Sequence, residues 1–283
     1  MPPEFSICIP VLSDGHIRNC LDSIFASKFQ DFEVIVNDSS DQFYVSDQIS
    51  HYDVKIIKKK TKSFESRMIS AKLAHGDRVI IFDDARLVPA TLLDRLRGMP
   101  EDMIVIAERD IGHGMLVRLS NLDKRAVSLD RMKLNPLENK SVIPRVYRRD
   151  LLLRALDSIN SNLGPEIIEN IVGLDLEIMY YEAYKISQNI GMIQGPIILH
   201  YGDENLRTVF RKYYRYGFTQ RMLSETIYSE LANLSGRNRS AYAMSDRILS
   251  LPLQVIRGVP FILGYISGNN EATIDTFKKE RNI

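Results

Sequence analysis

From Phe5 to Arg97, short apolar runs closed by polar turns alternate with stretches whose apolar residues recur every three or four positions. Phe5 to Val11 (FSICIPV) predicts a buried strand, stopped by Pro10 and the polar Ser13-Asp14-Gly15. His16 to Ser27 carries Ile17, Leu21, Ile24 and Phe25 at the spacing of an amphipathic helix. Phe32 to Val36 (FEVIV) predicts a second strand, ending in Asn37-Asp38-Ser39-Ser40-Asp41. A helix-like stretch then leads to a third strand, Val54 to Ile57, and the basic run Lys58-Lys59-Lys60. Ser66 to His75 predicts a helix in which Ala71 and Ala74 allow close packing. Arg78 to Phe82 (RVIIF) predicts a fourth strand ending in Asp83-Asp84, and Pro89 to Arg97 a further helix.

This alternation predicts an α/β fold with a mainly parallel central sheet, flanked by helices through right-handed crossovers. Beyond residue 100 the pattern loosens. Met103 to Ala107, Gly114 to Leu119 and Val142 to Tyr147 read as strands, and Ile167 to Gln188 as one helix with Asp175 inside it. Met192 to Leu199 reads as a last strand before His200. From Leu206 the chain is helical and basic, ending in the apolar stretch Ile248 to Ile266. The expected organisation is an α/β domain over 1–205 and a helical extension over 206–283.

Composition changes this picture little. The chain has 283 residues, 45% of them hydrophobic and 26% charged, which suffices for a substantial core. A formal net charge of +1 gives no global case for nucleic acid as a partner. Basic residues cluster only late, from Arg207 to Arg221 and from Arg237 to Arg247. The two cysteines, Cys8 and Cys20, do not form a metal-ligand cluster, and Cys8 lies in an apolar strand pattern that suits a buried free thiol. Met1-Pro2-Pro3-Glu4 lacks the basic opening of a secretory signal, so a cytoplasmic chain is expected.

The candidate chemistry lies where strands end. Open α/β sheets bind ligands beyond the carboxyl ends of their strands, where Asp38 and the Asp83-Asp84 pair fall. Carboxylates there can hold a divalent cation that carries a diphosphate and acts as a Lewis acid on the departing group. They serve equally well as turn formers or helix caps. Asp38 can likewise accept a hydrogen bond from a base or ribose.

Two segments resemble a known family. Ser6 to Asp41 (SICIPVLSDGHIRNCLDSIFASKFQDFEVIVNDSSD) is similar to the opening of family 2 glycosyltransferases, inverting enzymes of the GT-A fold. Arg67 to Leu93 (RMISAKLAHGDRVIIFDDARLVPATLL) is similar to the next block of that family. The resemblance implies a nucleotide-binding half over 1–97, an acceptor-binding half over 98–205 and an NDP-sugar donor, a UDP-sugar first. It places Pro10 and Asp38 at the nucleoside, Arg67 facing the nucleotide, and Asp83 and Asp84 over the family's Asp-x-Asp motif for Mg²⁺ or Mn²⁺. Aligned on Arg86-Leu87, the motif falls on Phe82-Asp83-Asp84, which makes Asp84 the metal ligand and leaves the first acid absent. Aligned on Asp83, Ala85 takes the second acid's place. Gly173-Leu174-Asp175-Leu176-Glu177 resembles the segment that carries the catalytic base, with Asp175 as that base and Glu177 in reserve. Such a base deprotonates the acceptor hydroxyl as it attacks the anomeric carbon. His200, at a strand end, would join the metal or the diphosphate.

The basic face of Arg207, Arg211 and Arg215, interleaved with tyrosines, suits acceptor phosphates or plain solvation. In Ile248 to Ile266, Pro252, Gln254, Arg257 and Pro260 argue against a membrane-spanning helix. That stretch suits the membrane interface, packing onto the domain, or a homodimer contact. The expected function is transfer of a sugar to a glycan or a polyprenyl-phosphate-linked acceptor, peripherally on the cytoplasmic face of a membrane. A catalytically weak sugar-nucleotide-binding scaffold is the alternative. A nucleotidyltransferase ranks last, because Val11 to Gly15 lacks its Gly-rich, basic loop.

Overall fold

The computed structural model describes residues 2–13, 15–129, 134–139, 142–233 and 244–268. Its centre is an eight-stranded sheet. In chain order the strands are β1 (Phe5–Val11), β2 (Phe32–Asp38), β3 (Lys55–Lys58), β4 (Arg78–Ile81), β5 (Arg86–Leu87), β6 (Met103–Ile111), β7 (Val146–Arg148) and β8 (Ile190–Tyr201). The strand order is β3-β2-β1-β4-β7-β6-β8-β5. The first four form a parallel block, β7 inserts antiparallel between β4 and β6, and β8 runs parallel to β6. The fold is therefore the expected α/β arrangement with a helical C-terminal part.

Helices cover both faces, so strand residues of both parities are apolar. Ile7, Ile9, Val34, Val36, Ile80 and Phe82 enter one core with α1 (Ile17–Phe25). Cys8, Ile35, Val79 and Ile81 enter the other. There they meet α3 (Ser63–Lys72), α6 (Arg149–Asn162) and α8 (Asp175–Ile186), α2 (Tyr44–Gln48) having come before them.

Four expectations need correction. Gly114 to Leu119 is not a strand: Gly112 and Gly114, at φ 128° and 93°, turn the chain out of β6 into α5 (Met115–Leu129). A short apolar run does not distinguish strand from helix, and the two glycines decide it. Pro89 to Arg97 is helical only over α4 (Leu92–Leu96). Val142 to Tyr147 narrows to β7. Ile167 to Gln188 is not one helix but α7 (Pro165–Ile168) and α8, separated by Gly173 and by Leu174 in the left-handed region at φ 62°. That break moves Asp175 from a helix interior to a helix start.

The C-terminal part contains α9 (Leu206–Leu223), α10 (Ser229–Asn233) and α11 (Met244–Ser267). Pro252 and Pro260 do not interrupt α11. A proline inside a helix removes a hydrogen bond and crowds the preceding turn, so contacts to the rest of the protein hold α11 together. Arg257 donates to Asp123 Oδ2 at 3.0 Å and to Ser120 Oγ at 3.1 Å, tying α11 to α5. Its guanidinium also lies over the Tyr213 ring of α9, 5.3 Å from the centroid. Further along, glycines let α9 and α11 touch backbone to backbone. A Cβ on Gly264 would lie 1.9 Å from the Tyr214 carbonyl oxygen, and one on Gly217 the same distance from that of Phe261. Gly264→Ala is therefore expected to force the helices apart and destabilise the protein by about 1–3 kcal/mol, seen as a lower thermal midpoint. An unchanged midpoint would mean that the seam is looser than this contact requires.

Candidate active site

The carboxyl ends of β1 and β2 lie side by side, with Pro10 paired to Asn37 and Val11 to Asp38. Asp38 is fully buried, and its carboxylate is occupied on both oxygens. Oδ1 accepts from the Ser40 N–H at 2.8 Å and hydroxyl at 2.5 Å; Oδ2 accepts from those of Ser46 at 2.7 and 2.6 Å. Burial alone would raise its pKa, but these serine bonds together outweigh it and hold the group below its ordinary value. Asp38 thus shapes the loop through Gln42 and Phe43, both at positive φ. The spare acceptor in this corner belongs to Asn37. Its Nδ2 donates to Thr61 and Ser66 at 2.8 Å each, leaving the buried Oδ1 without a partner among the described residues. Sequence pattern alone did not single out Asn37, since it reads as an ordinary turn residue.

Arg67 and Asp175 meet. Arg67 Nη1 donates to Asp175 Oδ2, which also faces the Ser63 hydroxyl at 3.4 Å, and both residues are buried. Asp175 is the first residue of α8, where free N–H groups and the helix dipole favour an anion. Gly173 permits this entry, because a Cβ there would press to 2.7 Å from the Tyr216 ring. Among the described residues, Arg67 keeps one buried donor, Nε, without a partner. Glu177 lies half-buried in the first turn of α8. Burial first, with the carboxylates of Asp175 and Glu177 adding to it, raises the Tyr216 phenol above its ordinary value. Lys212, one turn earlier on α9, lies beside Tyr216 and pairs with Asp203 at 3.0 Å. Arg207 and Arg211 point outward and are exposed. Lys212 is thus a cation of the basic run that turns toward Tyr216 and Asp203, a choice that helix spacing could not make.

The acidic pair after β4 is engaged by the protein itself. Asp83 forms an ion pair with buried Arg86, whose Nε also meets Glu108 at 3.2 Å. Glu108 further binds Arg145 at 2.8 Å, and Lys124 binds Asp110 at 2.6 Å. His200, opposite Arg86 in the β5–β8 pairing, bonds Asp110 through Nδ1 at 2.8 Å. Burial, helped by the charges of Arg86 and Lys124 and opposed by Asp110, lowers the His200 pKa to about 4, so the ring is neutral at pH 7. Arg86 also feels the positive charge of Arg67, which places the two arginines in one electrostatic neighbourhood.

Asp84 turns toward the loop after β1, accepting from the backbone N–H of His16 and its own. A Cβ on Gly15 would lie only 3.2 Å from its Oδ2. Among the described residues, no three His, Cys, Asp or Glu side chains converge as metal ligands. Asp83, Asp84 and His200 thus do not converge as a ready-made ligand set. Each is committed to a different partner.

No protein-family model matches the sequence, and no curated protein matches it. The fold is shared with solved structures. S. aureus TarS 1-349 superposes at TM-score 0.53 with 16% identity, over 96% of this chain and 82% of that one. The same TarS fragment in complex with UDP-GlcNAc gives 0.52 at 15%, over 98% and 92%. The mannosyltransferase PcManGT from Pyrobaculum calidifontis, in complex with GDP-Man and Mn2+, gives 0.51 at 14%, over 99% and 84%. The chain has their GT-A type of fold.

Burial pushes the Asp84 carboxyl up to about 6 from 3.8. A raised carboxyl opposes folding once ionised: the neutral form's stability is whole below the unfolded value and is lost as pH rises through about 6. Asp84→Asn abolishes that titration. Its stability relative to the native chain is expected to improve by about 2–3 kcal/mol between about pH 4 and pH 7, measured by urea unfolding. A difference independent of pH would show that the carboxylate is solvated.

Proposed function

We propose that this chain is an inverting glycosyltransferase that moves a sugar from a nucleotide donor, a UDP-sugar first, to a hydroxyl or phosphate of a glycan or lipid-linked acceptor. The observation that carries this reading is the Arg67–Asp175 pair, buried at the start of α8. It joins a carboxylate suited to proton abstraction to a cation suited to phosphate. The fold shared with TarS, which is known in complex with UDP-GlcNAc, and with a GDP-Man-bound mannosyltransferase supports the same reading.

In the proposed reaction the donor's nucleoside lies over the ends of β1 and β2. Pro10 forms the floor there, and the free carbonyl of Asn37 is available to a base N–H. Asp38 contributes by fixing the loop that walls this corner. The diphosphate draws on Arg67, through its spare Nε–H, and on Arg86. As Arg67 turns to the incoming anion, Asp175 is released from its ion pair. It then takes the proton of the acceptor hydroxyl, whose oxygen bonds to the anomeric carbon from the face opposite the diphosphate. The carbon–phosphate-oxygen bond breaks with its electron pair leaving on the nucleoside diphosphate, and protonated Asp175 returns its proton to solvent. Glu177, on the same turn, is the reserve base. Mn2+ belongs to the PcManGT crystal. No step assigned here runs through a metal, since the acids that would hold one are engaged elsewhere.

That engagement also favours the second reading, a sugar-nucleotide-binding protein with little catalysis. One experiment separates the two: transfer and nucleotide binding measured with UDP- and GDP-sugars, in Mn²⁺, Mg²⁺ or a chelator. Asp175→Asn is expected to lower kcat by about 10²–10⁴-fold without weakening nucleotide binding, which should tighten because Arg67 no longer has to leave a carboxylate to meet the diphosphate. Binding without turnover by the native chain would favour the scaffold. Failure to bind any nucleotide sugar would falsify both.

A further inference from the structure

From Ile248 to Ile266 the outward face of α11 is apolar and exposed, and no other element covers it among the described residues. Ile248, Leu251, Val255, Val259, Ile262 and Ile266 recur at steps of three and four, and all are exposed, Val255 by 62% and Ile266 by 61%. Leu249 and Leu263 widen the stripe. A helix rarely leaves so large an apolar surface in water without a use for it. The opposite face carries the contacts to the protein: Leu253, Pro260 and Gly264 are buried, and Arg257 is bonded to α5. Leu206 and Phe210, also exposed, continue the stripe of α9 on which Tyr214, Gly217 and Arg221 face α11.

From these features we infer that α11 docks this protein onto an anionic lipid bilayer, lying flat in the headgroup region with its stripe toward the acyl chains. This stands apart from the proposed reaction and does not depend on it. By length and composition Ile248–Ser267 is sufficient to cross a membrane. Crossing would require tearing α11 from its glycine seam with α9 and stripping Arg257 from Asp123. Lying flat needs neither, and it buries the exposed face alone. Charge decides against a second copy as the occupant. Helix α9 carries Arg207, Arg211, Lys212, Arg215 and Arg221 and no acidic residue, and Arg207 and Arg211 are exposed beside Leu206 and Phe210. A two-fold contact through this face would bring like charges together, whereas an anionic surface attracts them. Arg237 and Arg239 lie outside the described residues.

The test is flotation of the full chain with vesicles of phosphatidylcholine alone or mixed with phosphatidylglycerol. The native protein is expected to float with the mixed vesicles and to be released by alkaline carbonate. The triple variant Val255→Glu/Val259→Glu/Ile262→Glu, altered only at exposed positions, should keep its thermal midpoint and bind at least about tenfold more weakly. Arg207→Glu/Arg211→Glu should weaken binding to the mixed vesicles only. The inference is overturned by absence of flotation, or by equal flotation of the triple variant. Carbonate-resistant insertion would overturn it in favour of a spanning helix. A dimer in light scattering that the triple variant abolishes would do so in favour of self-association.

Discussion

The buried ion pair between Arg67 and Asp175 ties α3, beside the parallel block of the sheet, to the start of α8. Arg67 rises from α3, which follows the third parallel strand, while Asp175 opens α8, more than a hundred positions later in the chain. Neither side chain is accessible enough for water to take the other's place. Removing one partner from such a pair leaves a buried charge uncompensated, at a cost of about 3–5 kcal/mol. The pair is therefore structurally compulsory until another charge arrives. An anion beside Arg67 would relieve the guanidinium and free the carboxylate together, so donor binding and exposure of the base become one event in the proposed reaction.

A second set of charges obeys the same logic. Burial would make Glu108 a neutral acid, but Arg145, Arg86 and Lys124 overcome it and hold the group well below its ordinary value. Lys124 links that set to Asp110, and Asp110 links it to His200. Arg86 is shared between Glu108 and Asp83, which is how a strand end that resembles a metal motif becomes an arginine site. In the proposed reaction an incoming diphosphate meets there a guanidinium whose charge Asp83 and Glu108 already partly offset. Two arginines in one neighbourhood, Arg67 and Arg86, raise the local potential without the tight oxygen cage a divalent ion demands.

The parallel block was legible because its strands are covered on both faces and so are apolar at successive positions, an unbroken signal from Phe5 to Val11 and from Arg78 to Phe82. The positions of Pro10, Asp38, Asp83 and Asp84 followed from where those runs stop. Their partners did not. Whether Asp83 faces a cation from outside or Arg86 from within depends on Glu108 and Arg145, which are distant in sequence. Asp38 was readable as an acid at a strand end, but its commitment to Ser40 and Ser46 required the fold of the following loop. Residue 175 was readable as an acid in a helical pattern, yet its place as a helix start depends on the left-handed Leu174 and on Gly173, which leaves room for the Tyr216 ring some forty positions on. Asn37 carried no local signal at all.

The C-terminal helix shows the same limit from the other side. Pro252 and Pro260 are strong local breakers, and read alone they end a helix. Local propensity loses here because it acts on one turn, while the seam with α9 acts along the length of α11. Gly217 and Gly264 remove the side chains that would hold the two backbones apart, and Arg257 closes onto Asp123 only if the turns around it are helical. Proline also contributes in one respect, since its ring adds apolar surface without an N–H that needs a partner at a lipid or protein face. A helix kept straight by one face is free to be apolar on the other. That freedom is what leaves the stripe from Ile248 to Ile266 open, and it makes membrane contact compatible with a fold whose described strands turn their apolar runs inward.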